Sequence, residues 1–178
     1  MGDQIQMKIS IRRATVDDVQ LIAEMGARLF EVSFGAFNRP RDMQVYLEKS
    51  FNQQDIRTDL LSEKVIYLLA MLSEQVIGYA KVSQCKAPVP VIGSNPIELD
   101  RIYIDLAYSN RGYGSQLLTA CTETARQLGG DTLWLGVWDR NERAIRFYQQ
   151  WGFEIVGEME FVLGDDVQND YVMARSID

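Results

Sequence analysis

Apolar positions along the chain switch between a spacing of two and a spacing of three to four, and the switches mark the elements. Ile9 and Ile11 alternate with polar neighbours, which predicts a short opening strand over residues 8–13. Thr15 and Asp18 form an N-cap signature close to a capping box. The helix they open carries Val19, Ile22, Ala23, Met25, Leu29 and Phe30 on one face and is expected to fade near Gly35. Pro40 suits the first position of a second helix, with Met43, Tyr46, Leu47 and Phe51 as its buried stripe. Residues 55–61 add a further helical stretch. Apolar strands at 65–72 and 76–83 flank Ser73-Glu74-Gln75 as a hairpin, and Gly78 marks a close approach or a bulge.

Residues 86–95, with Pro88, Pro90 and Gly93, read as a loop, and 98–104 as the central strand. A helix follows from Gly112 to about Leu128, stopped by Gly129-Gly130. A strand over 131–138 and a short helix over 141–148 lead through Trp151-Gly152-Phe153 to strands at 154–162 and 168–175, joined at Gly164-Asp165-Asp166. The order β-α-α-β-β-β-α-β-α-β-β, with a hairpin at each end, predicts an α/β fold on a mixed sheet. At 178 residues, without repeats or linkers, the expectation is one domain over 1–178.

Composition narrows the chemistry. The chain has no histidine, which excludes Ser-His-Asp and Cys-His catalysis and argues against a metal site. Its two cysteines, Cys85 and Cys121, make no disulfide framework, and Cys121 reads as a buried inert thiol. The net charge of −7 argues against nucleic acid as a partner. No apolar run reaches the roughly 18 residues of a membrane helix, and the N-terminus shows no signal, so the expected location is cytoplasmic and no membrane partner is expected. Six acids and no base lie between Arg146 and Arg175: Glu154, Glu158, Glu160, Asp165, Asp166 and Asp170. They read either as a solvated face or as a field that attracts a cationic substrate.

One turn carries specific chemistry. Ser109, Asn110, Arg111, Gly112, Tyr113, Gly114 and Ser115 join the central strand to the next helix. A helix's first turn has N–H groups without intrahelical partners and a partial positive charge, and glycines let a ligand touch the backbone. Together these make a diphosphate cradle. A turn that merely starts a helix would look the same.

The downstream segments decide between those readings. Strand, glycine turn, helix, Trp134-Leu135-Gly136-Val137-Trp138, the helix Asn141-x-x-Ala144-x-x-Phe147-Tyr148 and Gly152-Phe153 resemble, in that order, the GNAT superfamily of acetyl-CoA-dependent N-acetyltransferases. Glu98-Leu99-Asp100-Arg101-Ile102-Tyr103 and Phe161-x-x-Gly164-x-x-x-Gln168-x-Asp170-x-x-Met173 further resemble the Pai-type spermidine/spermine acetyltransferases. The resemblance implies a GNAT fold whose fourth and fifth strands splay apart, with acetyl-CoA as cosubstrate and no metal. It implies cofactor contacts from residues 109–115 and the main chain of Ile102, Tyr103 and Ile104. Ser109 departs from the family's usual Gln or Arg.

The resemblance also implies that Asn141 contacts the cofactor and that Tyr148 protonates the leaving thiolate. Asn141 could equally cap its helix, and Tyr148 could be core, since it shares a stripe with Ala144 and Trp151. Glu98 stands where some family members carry a carboxylate base, with Asp100 on the same face two residues on. Each could instead pair with a neighbouring base. The acceptor is expected between residues 28–52 and the C-terminal strands, where Glu31, Asp42, Glu48 and the late acids are candidates. A polycationic amine is favoured as partner, with a homodimer left open as the assembly. The alternatives are another small amine, a peptide N-terminus, or a non-catalytic acetyl-CoA-binding regulator.

Overall fold

The period-two segments become seven strands of one sheet in a computed structural model that describes residues 9–177. These are β1 (Ser10–Arg13), β2 (Val65–Leu72), β3 (Gln75–Ser83), β4 (Pro96–Ile104), β5 (Thr132–Trp138), β6 (Glu154–Leu163) and β7 (Asp166–Ser176). They lie in the order β1-β2-β3-β4-β5-β7-β6, and only the β4–β5 pair is parallel. This is the expected mixed α/β sheet with a hairpin at each end. Position 8 of the opening strand lies outside the described residues.

Helices α1 (Val19–Phe34), α2 (Pro40–Ser50) and α3 (Gln53–Leu61) precede β2; α3 is the further helical stretch expected over 55–61, begun two residues earlier, which the expected β-α-α-β order left out. α3 forms because the Asn52 side chain accepts from the Asp55 N–H at 2.9 Å, closing its first turn. Ahead of α1, Asp18 accepts from the Thr15 N–H at 2.8 Å and meets Arg12 at 2.7 Å. That guanidinium holds the Asp18 carboxyl below its ordinary range.

Two cores sandwich the sheet. Ile97, Leu99, Leu133, Leu135 and Met173 pack with Leu117, Leu118 and Cys121 of α4 (Tyr113–Gln127), and α5 (Glu142–Gln150) extends the same side. On the other face Tyr67, Leu69 and Tyr79 pack with Ile22 and Leu29 of α1 and Ile56 of α3. Each fully buried Leu or Ile contributes about 1.5–3 kcal/mol.

Two irregularities set the shape of the sheet around β4. Leu99 pairs with Val82 and Arg101 with Lys81, so Asp100 is an extra residue, a bulge in β4. The bulge shifts the strand's alternation: Ile97 and Leu99 face α4, and so do Ile102 and Ile104, while Tyr103 turns to the α1–α2 side. β4 and β5 then pair only from Pro96↔Thr132 to Glu98↔Trp134, although both strands run on. The sheet forks at Glu98, as the resemblance implied. Gly78 serves both expected purposes: the β2–β3 register shifts beside it, and a Cβ there would collide with the Tyr103 carbonyl oxygen and Ile104.

Candidate active site

The fork opens into a cleft of about 1010 Å³. Its walls are residues 98–104 of β4, the turn before α4, the end of β5 and α5; the other face adds the ends of α1 and α2 with β6 and β7. Every residue expected to touch the cofactor or act as acid or base lines it except Arg111, which is exposed with its guanidinium 5.9 Å from the Tyr108 ring centroid. Of the acceptor candidates only Asp170 does, and Glu31, Asp42 and Glu48 do not. A smaller hollow of about 330 Å³ against α3 holds none of them.

The turn has the form of an anion cradle. Gly112, at φ +75°, is the N-cap of α4, and Asn110 is also left-handed at φ +59°. No side chain caps the helix, so the partial positive charge of its first turn faces the cleft through Tyr113, Gly114 and Ser115. A Cβ at Gly114 would meet only Phe147, at 3.9 Å, so the backbone there can be closely approached. Arg143 donates to Asn110 Oδ1 at 2.9 Å and ties the turn to α5. Donors, charge and space all fit a diphosphate.

Beyond Glu98 the β5-facing edge of β4 has lost its strand partner, which leaves main-chain groups of residues 99–104 along the gap. The side chains of Ile102 and Ile104 pack on the α4 core, and Tyr103 stacks on Tyr79 at 5.9 Å. What that edge offers is backbone.

Across the gap, α5 presents Asn141 and Tyr148. Asn141 caps α5, accepting from the Ala144 N–H at 3.2 Å, and it also lines the cleft. Tyr148 is at once core and wall: its ring lies 5.4 Å from Phe147 and 5.6 Å from Phe153, yet it reaches the cleft. Burial raises its phenol well above the ordinary value, so it stays protonated and keeps a proton to donate.

The carboxylates separate by partner. Asp100 meets Lys81 Nζ at 2.9 Å, and Lys81 also meets Asp59 at 3.0 Å. Burial would lower the Lys81 ammonium, but its carboxylates hold it above its ordinary value. Glu98 makes no ion pair among the described residues; it accepts from Cys85 Sγ at 2.9 Å. Burial and the Asp100 charge raise its carboxyl. Partial burial and that same Glu98 carboxylate push the Cys85 thiol up to about 12.

Of the six late acids, five are exposed. Asp170 is buried and lines the cleft; burial, with Asp139 nearby, raises it to about 6. Asp42 is structural: it meets Arg39 at 2.6 Å and accepts from the Asp165 N–H at 3.0 Å, fastening α2 to the β6–β7 turn. Residues from 28–52 and the C-terminal strands form the facing wall of the cleft. Trp138 stands there against Phe34 and Phe37, at 6.3 and 5.4 Å. Trp134 and Trp151 pack into cores.

Sequence reasoning missed Lys81, Cys85 and the separate position of Asp170. One signal could have found the last: Asp170 shares its alternation on β7 with Val172 and Ala174, both buried. Among the described residues, no helix is long and apolar enough to cross a membrane, and no group of three or more acids or cysteines could hold a metal ion.

Comparison with known proteins matches residues 28–153 to the acetyltransferase (GNAT) family. The chain is 30% identical to an uncharacterized N-acetyltransferase of Lactobacillus delbrueckii subsp. lactis, over 95% of this chain and 98% of that protein. A spermine/spermidine N(1)-acetyltransferase of Bacillus subtilis (strain 168) is 36% identical, over 35% of this chain and 42% of that protein. The N-alpha-acetyltransferase RimI of Mycobacterium tuberculosis (strain ATCC 25618 / H37Rv) is 29% identical, over 84% of this chain and 80% of that protein. The PaiA N-acetyltransferase of Thermoplasma acidophilum, in complex with coenzyme A, shares the fold at a TM-score of 0.76 and 17% identity, over 96% of this chain and 99% of that one. The chain belongs to the acetyltransferase (GNAT) family and is an N-acetyltransferase with acetyl-CoA as its cosubstrate.

Proposed function

We propose that the protein, acting in the cytoplasm as a single domain, acetylates a primary amine of a polyamine such as spermidine or spermine. Acetyl-CoA supplies an activated thioester. The N–H groups of residues 110–115 hold its diphosphate, with Ser109 and Arg111 beside them, and the edge of β4 at Ile102, Tyr103 and Ile104 pairs with its pantetheine arm. Asn141 reaches that arm from α5. A main-chain N–H of β4 polarises the thioester carbonyl, a contribution of roughly 3–4 kcal/mol for one such donor. Tyr148 donates its hydrogen bond to the sulfur as it leaves.

The observation that carries the amine reading is Glu98, a carboxylate inside the cleft with no cation of its own. A primary ammonium has a pKa near 10.4, so the acceptor arrives charged and must lose a proton before attack. Glu98 accepts that proton, directly or through water, and its raised pKa makes it a better base than an ordinary carboxylate. Asp100 is committed to Lys81 and is not the base. Without histidine, nothing prepares either cysteine as a covalent carrier, so transfer is direct within a ternary complex.

The test is release of CoA thiol from acetyl-CoA with separate amines. Spermidine and spermine are expected to give turnover; thiol release with a peptide and none with either polyamine would overturn the assignment. A peptide N-terminus is the second reading, favoured by the longer span of the RimI similarity against the partial spermine/spermidine match. A non-catalytic regulator would bind acetyl-CoA and give no thiol release with any amine.

A further inference from the structure

Asp170 is a carboxylate that the proposed chemistry leaves unused. It is 8% exposed and lines the cleft, and its carboxylate makes no hydrogen bond or ion pair among the described residues. Burying a carboxylate without a counter-ion is costly, and one so buried in a cleft is a candidate to be completed by a ligand. Neighbouring charges do not compensate it. Asp139 repels it, and the Arg140 guanidinium lies 6.0 Å from the Trp138 ring centroid.

Its surroundings suit a cation on an apolar chain. Asp170 pairs across the sheet with Trp138 on one side and Met159 on the other. Trp138 is flanked by Phe34 and Phe37, and aromatic faces attract alkylammonium groups. Gly136, having no Cβ, leaves the space where the Met159 methyl lies beside Asp170.

Register fixes where this carboxylate stands relative to Glu98. Glu98 is level with Trp134, and Asp170 with Trp138, four positions farther along β5, or about 13 Å of strand. Both lie on the α1–α2 side of the sheet, one at the apex of the fork and one on its open arm. Resting on the amine-acetylation reading above, we propose that Asp170 is the anchor for a second, non-reacting cationic nitrogen of the acceptor. The acceptor is thus an amine with a further cation several methylenes away, and its apolar stretch lies against Trp138.

The test compares 1,4-diaminobutane, 1,6-diaminohexane and 1,8-diaminooctane with n-alkylamines of matched length, using the wild type and Asp170→Asn. The preference for diamine over monoamine, as a ratio of kcat/KM, is expected to fall about tenfold in Asp170→Asn, mainly through the diamine KM. Asp170→Glu, which keeps the charge, is expected to restore much of it. An unchanged ratio in Asp170→Asn overturns the anchor, and so does a loss that Asp170→Glu fails to rescue. If Asp170→Asn does not fold, Asp170→Ser takes its place.

Should the wild type acetylate neither amine class, the polyamine reading falls separately. Calorimetry of 1,6-diaminohexane into the CoA-saturated protein then decides the anchor alone. Binding that weakens about tenfold in Asp170→Asn supports it, and absent or unweakened binding overturns it.

Discussion

The two halves of the cleft are made of different material. The half facing α4 and α5 offers main-chain groups: the uncapped first turn of α4, left-handed Asn110 and Gly112, and the open edge of β4. The half facing α1 and α2 offers side chains, namely Glu98, Asp170 and the aromatic rings about Trp138. A main-chain site is set by backbone geometry and survives most side-chain changes. A side-chain site changes with a single substitution. One scaffold can thus keep one acyl donor while its acceptor varies.

The largest effect is expected at Tyr148, the donor-side residue whose side chain is proposed to take part in the chemistry. Tyr148→Phe is expected to lower kcat by about 100-fold or more, with acetyl-CoA affinity nearly kept. An unchanged kcat would make Tyr148 core alone. Glu98→Gln is expected to cost up to about 100-fold in kcat/KM for the amine. The raised Glu98 carboxyl gains its proton as pH falls, so wild-type activity declines along an acid limb above the ordinary carboxylate pKa of about 4.3. That limb should vanish in Glu98→Gln, read from a pH–rate profile.

On the donor side, Gly112→Val forces a β-branched residue to φ +75°, at about 1–3 kcal/mol of strain. It is expected to weaken acetyl-CoA binding about tenfold by calorimetry and to change the amine KM little at saturating acetyl-CoA.

Stability gives a smaller effect with a definite sign. Asp170 has a native pKa of about 6 against an ordinary 3.8, so the native state holds this proton more tightly than the unfolded one. The penalty is absent below about pH 4, grows to about pH 6 and stays constant above it, at most about 3 kcal/mol. Asp170→Asn is therefore expected to be more stable to denaturant than wild type at pH 7.5, by on the order of 1–2 kcal/mol, and to show no such gain at pH 4. Smallest of all, Ser109→Ala is expected to change acetyl-CoA affinity less than twofold, since the cradle's donors are backbone groups.

The same contrast governs what could be read in the sequence. The donor half was legible because glycine and helix-start signals are local: Gly112, Gly114 and Asn141 stand where the turn and cap required them. The alternating strands and the stripes of α1 and α4 were legible for the same reason. The Asp100 bulge was not, because it is a property of the register between two strands. The helical stretch over 55–61 was legible too, though its start at Gln53 was not, because the Asn52 cap sits ahead of its weak apolar pattern. Asp170 was hidden in a run of acids whose other members are solvated, and only its alternation with Val172 and Ala174 set it apart. Lys81 and Cys85 come near the site through the hairpin and loop that precede β4, contacts that no local pattern reports.

In the proposed chemistry, backbone on one side of the fork holds the acyl donor while the other side is left for the amine. Amide ¹H–¹⁵N spectra of labelled protein, titrated with CoA, test it most directly. The largest shifts are expected at residues 102–104 and 110–115, with Asp170, Gln168 and Phe37 little moved. Largest shifts among those acceptor-side residues, with 110–115 unchanged, would contradict it.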